Sequence, residues 1–257
     1  MTSFKTSIRS IGKCFLTILS SFFSSISAFG QLPPKEINHQ TQAWLSLNST
    51  VRLSNKWGFV ADVHERRNHF LKDASFHFAR VGANYWLTDK ITITAGYAHL
   101  WLASSKLNKN EYLHENRIYQ QAQMISTVNK ITVLQRLRNE QRWQDKIEGG
   151  RIANEKRFSN RVRYLLSLTI PVSKDPYIPA IVLSDELCVQ FGKEIIYNTF
   201  DQNRFFIGLR QKVSKKLSFD IGYMLLNQEK ITGYQYDVNH TFRWFFYYVP
   251  DLRKKKS

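Results

Sequence analysis

The chain has 257 residues, enough for one large domain, and a formal net charge of +17 at pH 7. It is 43% hydrophobic and 14% aromatic with only 11 Gly and 6 Pro, which excludes a disordered or low-complexity polymer. The hydrophobicity is dispersed, and beyond the N-terminus no run approaches the ~20 apolar residues of a membrane helix. The basic excess would suit nucleic acid, but the arginines alternate with apolar residues instead of clustering on a helix or beside a stacking platform, so no nucleic-acid partner is expected. Of the two cysteines, Cys14 and Cys188, only Cys188 would survive removal of a leader, which leaves no internal disulfide and no cysteine-based zinc site.

Residues 1–30 read as a cleaved secretory signal peptide. Lys5, Arg9 and Lys13 form the basic region, Cys14 to Ile26 the short apolar region, and Ala28-Phe29-Gly30 the small-residue cut site. Residues 31–38, with Pro33-Pro34, read as a periplasmic lead-in. From 39 to 249 the chain alternates in strands. Ala43, Leu45, Leu47, Val51 and Leu53 share one face, and Trp57, Phe59, Ala61 and Val63 continue it across Ser54-Asn55-Lys56. Ala79 to Leu87 meets Ile91 to Tyr97 across Thr88-Asp89-Lys90 in the same way. A polar loop follows at 103–112.

The longest signal is Leu113 to Trp143. A two-residue turn at Asn129-Lys130 makes Val128 face Ile131, so facing residues sum to 259. That register puts Glu115, Arg117, Tyr119, Gln121, Gln123, Arg136, Arg138, Glu140 and Arg142 on one face. The other face carries Ile118, Ala122, Met124, Val128, Ile131, Val133 and Leu137, interrupted by Gln120 and Gln135. A slip of one residue would mix the two. A longer loop is expected at about 144–155. Strand seven then turns Arg157, Arg161 and Arg163 inward, and strand eight (180–191) turns Glu186 inward. Asp185 falls on the apolar side, a misfit assigned to a bulge. Arg204, Arg210 and Asp220 point inward on the next hairpin. The last strand, 235–248, places Phe242, Trp244, Phe246 and Tyr248 on one face, and His240 is read as sitting at a strand kink. Residues 250–257 form a basic tail.

Strands of a dozen residues, charged on one side and apolar on the other, define the expected fold: all-β, an antiparallel transmembrane up-and-down β-barrel after a cleaved signal peptide. A soluble β-sandwich or lipocalin-like barrel alternates too, but strand length and polar-face charge argue against it. Eleven strands can be counted. Single-chain bacterial barrels have an even number, so the expectation is 10–12 with twelve favoured, the extra strand lying in the lead-in. Short turns are expected to alternate with longer loops, the turns facing the periplasm.

Several pieces in order resemble the bacterial outer-membrane barrel family known as domain of unknown function 2490. They are WLSLNSTVRLSNKWG, HENRIYQQ, LRNEQRW, NRVRYLLSLTIPV, the Asp185-Glu186 region, FDQNRFFIGL and the GYM and NHTF segments, together spanning most of 40–247. The chain departs at Asn116, where related sequences usually place His, and at Asn139, where an apolar residue is commoner. Neither departure threatens the fold. The resemblance implies location in the outer membrane of Gram-negative bacteria and implies no activity.

The inner face therefore holds the candidate site, a lumen charge network of Glu115, Arg117, Arg136, Arg138, Glu140, Arg142, Arg161, Arg163, Glu186 and Arg204. Two readings compete. The network can pack the lumen as a structural or partner-binding barrel, or its arginine excess can favour anions in a narrow channel for small solutes. A lower alternative is an outer-membrane lipid hydrolase using His99 and Ser104, but no nucleophile–base–orienter set declares itself, so the chain is not read as an enzyme. His64 is read as one more lumen polar group. No cofactor or metal spacing is found. The expected partners are outer-membrane lipid, small anionic solutes and a periplasmic or envelope protein.

Overall fold

The computed structural model describes residues 33–105, 107–108, 111–175 and 177–253. The signal peptide expected at 1–30 and the last basic residues, 254–256, lie outside them. From Glu36 onward the described residues form eleven strands and no helix: β1 (Glu36–Arg52), β2 (Trp57–Asn68), β3 (Asp73–Trp86), β4 (Ile91–Ala103), β5 (Tyr112–Val128), β6 (Ile131–Glu148), β7 (Arg151–Ile170), β8 (Ala180–Phe191), β9 (Phe200–Lys212), β10 (Leu217–Glu229) and β11 (Gln235–Tyr248). Each strand pairs with its neighbours in sequence, and β1 pairs with β11 to close the barrel.

The strand number corrects the expectation of twelve. No strand lies in Pro33–Lys35, and β1 already begins at Glu36, inside the expected lead-in. Consecutive antiparallel pairs leave β11 running the same way as β1, so closure is parallel, from Glu36↔Gln235 to Ser49↔Tyr248. The even-number rule presupposes an antiparallel seam. A parallel ladder satisfies the edge groups of both strands with evenly spaced, slanted bonds, at a small cost per residue.

At one rim, the turn rim, three turns share one chemistry. In Ser54-Asn55-Lys56, Thr88-Asp89-Lys90 and Ser214-Lys215-Lys216 the first hydroxyl accepts from the backbone amides two and three residues on. This is the hydroxyl turn that makes Ser and Thr favourable there. In each, the residue before the turn donates its amide to the carbonyl of the residue after it, which fixes the register the apolar pattern demands. At Asn129-Lys130 the chain turns in two residues, with Asn129 at φ 56° as a hairpin's first central position requires. The predicted sum of 259 holds from Val128↔Ile131 to Glu115↔Gln144.

The opposite rim, the loop rim, departs from expectation at 144–155. There β6 and β7 run on and meet at Gly149-Gly150, whose φ angles of 58° and 76° form a two-residue turn open to glycine. The turns and loops thus do not divide cleanly by length between the rims, since the turn rim also carries the long connection 171–179. No bulge occurs at Asp185, where the register is regular on both sides. The shift lies three residues on, between Cys188 and Val189. The ladder also passes through His240 without a shift, so no kink stands there.

The alternation turns the barrel inside out relative to a water-soluble one. Among the described residues 23 polar side chains are buried against 12 apolar ones. Leu45, Val63, Val81, Ile118, Leu137, Tyr164, Leu187, Ile207, Tyr223 and Phe242 are all exposed, so the apolar outer surface continues from strand to strand around the barrel. The wall is thinned at chosen points. Gly82 and Gly96 face each other on β3 and β4, and a Cβ on Gly82 would strike the Tyr119 hydroxyl while one on Gly96 would strike the Val81 carbonyl. The Tyr119 ring occupies the space those glycines leave.

Candidate functional site

Strand parity brings all ten candidate residues into the lumen. Odd positions on β5 and even positions on β6 point inward, as do odd positions on β7 and even ones on β8 and β9. The ten form one connected network with two carboxylates as hubs. Glu140 accepts from Arg161 (2.5 and 2.8 Å) and Arg163 (2.8 Å), with Arg138 and Arg117 at 3.6 and 3.7 Å. Glu186 accepts from Arg136 (2.8 Å), Arg204 (2.9 Å) and both ways from Arg163 (2.8 and 2.9 Å). Arg163 bridges the hubs. Glu115 holds Arg117 at 2.5 Å and stands 3.9 Å from Arg142, which in turn donates to Ser159 and Gln190.

Two lumen residues escaped the sequence reading, one of them a member of the network. Asp201 closes the network by accepting from Arg161 at 2.9 Å. β9 begins at Phe200, earlier than the apolar alternation of that hairpin suggests. Arg243 on β11 was overlooked because only the aromatic face of that strand was read. Its guanidinium lies 4.2 Å from the Phe206 and Phe245 rings and 3.8 Å from Asp220. Two further pairs are separate from the network: Arg80 with Asp62, and Arg210 with Asp220 through a bidentate contact of 2.7 and 2.8 Å.

The lumen has a second character on its other side. Trp44, Val182, Phe206, Met224 and Leu226, with Phe245 against them, make an apolar cluster on β1 and β8–β11. Arg66 sits beside it. Trp44, Arg66 and Phe76 are register partners on three adjacent strands, and the Arg66 guanidinium lies 3.4 Å from the Trp44 ring and 4.3 Å from the Phe76 ring. His64 lines the lumen as expected, in edge contact with Phe78 and Phe245, and neither ring nitrogen has a hydrogen-bond partner.

One cavity of about 900 Å³ runs through this interior. Its lining reaches from Asp89 and Asp251 at the turn rim to Asn198 and Glu229 at the loop rim, and includes thirteen arginines. Eight strands give an interior just wide enough for side chains to fill. Eleven leave this space over.

Several polar groups on the outer face are paired with one another. Asp185 accepts from Asn203 at 2.7 Å, which answers the misfit a bulge had been invoked for. Gln120 bonds Gln141 and Asn139, and Tyr164 donates to Gln135 at 2.8 Å. His99 bonds Asn116 at 2.8 Å and His114 at 3.1 Å, and points outward from β4. Ser104 lies past the end of that strand. Among the described residues no group of three or more His, Cys, Asp or Glu is placed to hold a metal ion.

Fold and interior together define a closed eleven-strand β-barrel with a buried arginine–carboxylate lumen. The family model described as protein of unknown function (DUF2490) matches residues 41–237, most of the chain, and the chain belongs to that family. No curated protein and no solved structure matches it.

Proposed function

We propose that this protein is an integral outer-membrane barrel of a Gram-negative envelope, exported by its signal peptide, acting as a structural or partner-binding barrel. The carrying observation is the inversion of burial: charged residues inside and a continuous exposed apolar surface outside. In lipid only a helix or a closed barrel satisfies every backbone group, and only a lipid-facing surface rewards that pattern. Two aromatic belts support the reading. Trp57, Tyr85, Phe246 and Tyr248 lie toward the turn rim, and Trp101, Trp143 and Phe158 toward the loop rim, the positions membrane interfaces favour. The paired outer polar groups fit as well, since an unpaired one would be costly in hydrocarbon.

A second reading, a narrow anion-favouring passage, is favoured by the cavity lined from both rims. Single-channel recording of the refolded barrel under a salt gradient separates the readings. Steady anion-selective openings, weakened in Arg136→Ala/Arg138→Ala, establish the passage. Silence from protein shown to be folded leaves the structural or partner-binding role.

A further inference from the structure

The arginine–carboxylate network does not balance. Arg117, Arg136, Arg138, Arg142, Arg161, Arg163 and Arg204 share four carboxylates, Glu115, Glu140, Glu186 and Asp201. Three of those arginines crowd onto Glu186 alone. Arg66 has no carboxylate within salt-bridge reach among the described residues, and its Nε is buried without a partner. Guanidinium stays charged in proteins, and enclosing unmatched charge costs several kcal/mol per ion unless something answers it.

The surplus is gathered at one place. The Arg66 and Arg204 guanidiniums both lie on the Trp44 ring, at 3.4 and 5.3 Å from its centre. The Trp44 and Phe76 rings both lie against the Arg66 guanidinium, and its N–H groups donate in the guanidinium plane. Arg204 spends one terminal nitrogen on Glu186 and reaches Gln202 only weakly, at 3.4 Å. Arg66, Arg204 and Trp44 all line the cavity. Two planar guanidinium forks against one indole, both lining open space, are donors of the kind that match an oxyanion.

We propose that Arg66 and Arg204, seated on Trp44, form a binding site in the lumen for a small oxyanion, a carboxylate or phosphate group. The ligand supplies the negative charge that the protein's own carboxylates do not. This deepens the proposed polar lumen and rests on that reading, but it does not require that anything pass through.

The test is binding, not conductance. Folded barrel in detergent is titrated with inorganic phosphate by calorimetry, at ionic strength held constant with sodium chloride, and again with acetate. Saturable binding of either is expected, with at least about tenfold weakening in Arg66→Gln, the loss of one charge-assisted pair. Melting should rise with the same anion in the wild type and in Lys146→Gln, whose ion pairs lie outside the site, and should not rise in Arg66→Gln. Should Arg66→Gln fail to fold, Arg204→Gln is read in the same way, since Glu186 keeps Arg136 and Arg163. No saturable binding of either anion, or equal binding in the variants, overturns the site. Binding without conductance leaves the site and removes the passage; conductance without binding does the reverse.

Discussion

Arg163 grips Glu186 with one terminal nitrogen shared between both carboxylate oxygens, at 2.8 and 2.9 Å, while its other terminal nitrogen holds Glu140. Both residues are largely withdrawn from solvent, with 9% and 6% of the side chain exposed. The pair joins β7 to β8 from within, and through Glu140 to β6. Such a bridge contributes little if replaced whole by apolar groups, but breaking it from one side leaves charge stranded.

Glu186→Gln should therefore destabilise the barrel by ~3–5 kcal/mol, because it strands Arg136 and Arg204 at once and leaves Arg163 only Glu140. Lys156→Ala, which removes a half-exposed partner of Asp145, should change stability by less than about 1 kcal/mol. Urea unfolding of the refolded protein, followed by tryptophan fluorescence, measures both. Equal effects would mean that the lumen is wet enough to screen the network.

The glycine seat beneath Tyr119 predicts a coupling. Gly82→Ala places a methyl group against the Tyr119 hydroxyl and should cost ~1–3 kcal/mol, the usual range for overpacking. In a Tyr119→Phe background the first obstacle is gone, and the cost should fall by at least about 0.5 kcal/mol. Gly96→Ala should gain no such relief, since its first obstacle is the Val81 carbonyl. A double-mutant cycle on thermal unfolding reads all three, and additive effects would show that the ring does not rest there.

The rims predict an orientation. With the hydroxyl turns toward the periplasm, the β6–β7 tip at Gly149-Gly150 faces outward. An epitope inserted between those glycines should be labelled by antibody on intact cells, and one inserted at Lys215-Lys216 only after permeabilisation. The opposite pattern would invert the barrel.

Much of this was legible because alternation is decided locally. Once Asn129-Lys130 sets a two-residue turn, every facing pair from Glu115 to Gln144 follows, and so do the inward arginines. The parallel seam was within reach, because eleven strands in consecutive antiparallel order must close in parallel; the even-number rule for single-chain barrels argued it away. The β6–β7 extension was missed because Asp145 to Glu155 carries only Ile147, Ile152 and Ala153 as apolar side chains, too few for a period to show; the Gly149-Gly150 pair was the available signal. The Arg66 stack was partly readable, since Trp44, Arg66 and Phe76 all fall on inner-face positions. Their adjacency needed the register of three strands at once. Which carboxylate each arginine reaches depends on side-chain lengths across the lumen, and no one-dimensional pattern encodes that.

A lipid-facing apolar surface requires that the barrel reside in the outer membrane. Membranes from cells expressing the full chain should be separated on a density gradient, washed with carbonate and run on gels without heating. The protein should follow the outer-membrane fraction, resist extraction, and change mobility when boiled. Recovery as a soluble periplasmic or cytosolic protein would contradict that placement.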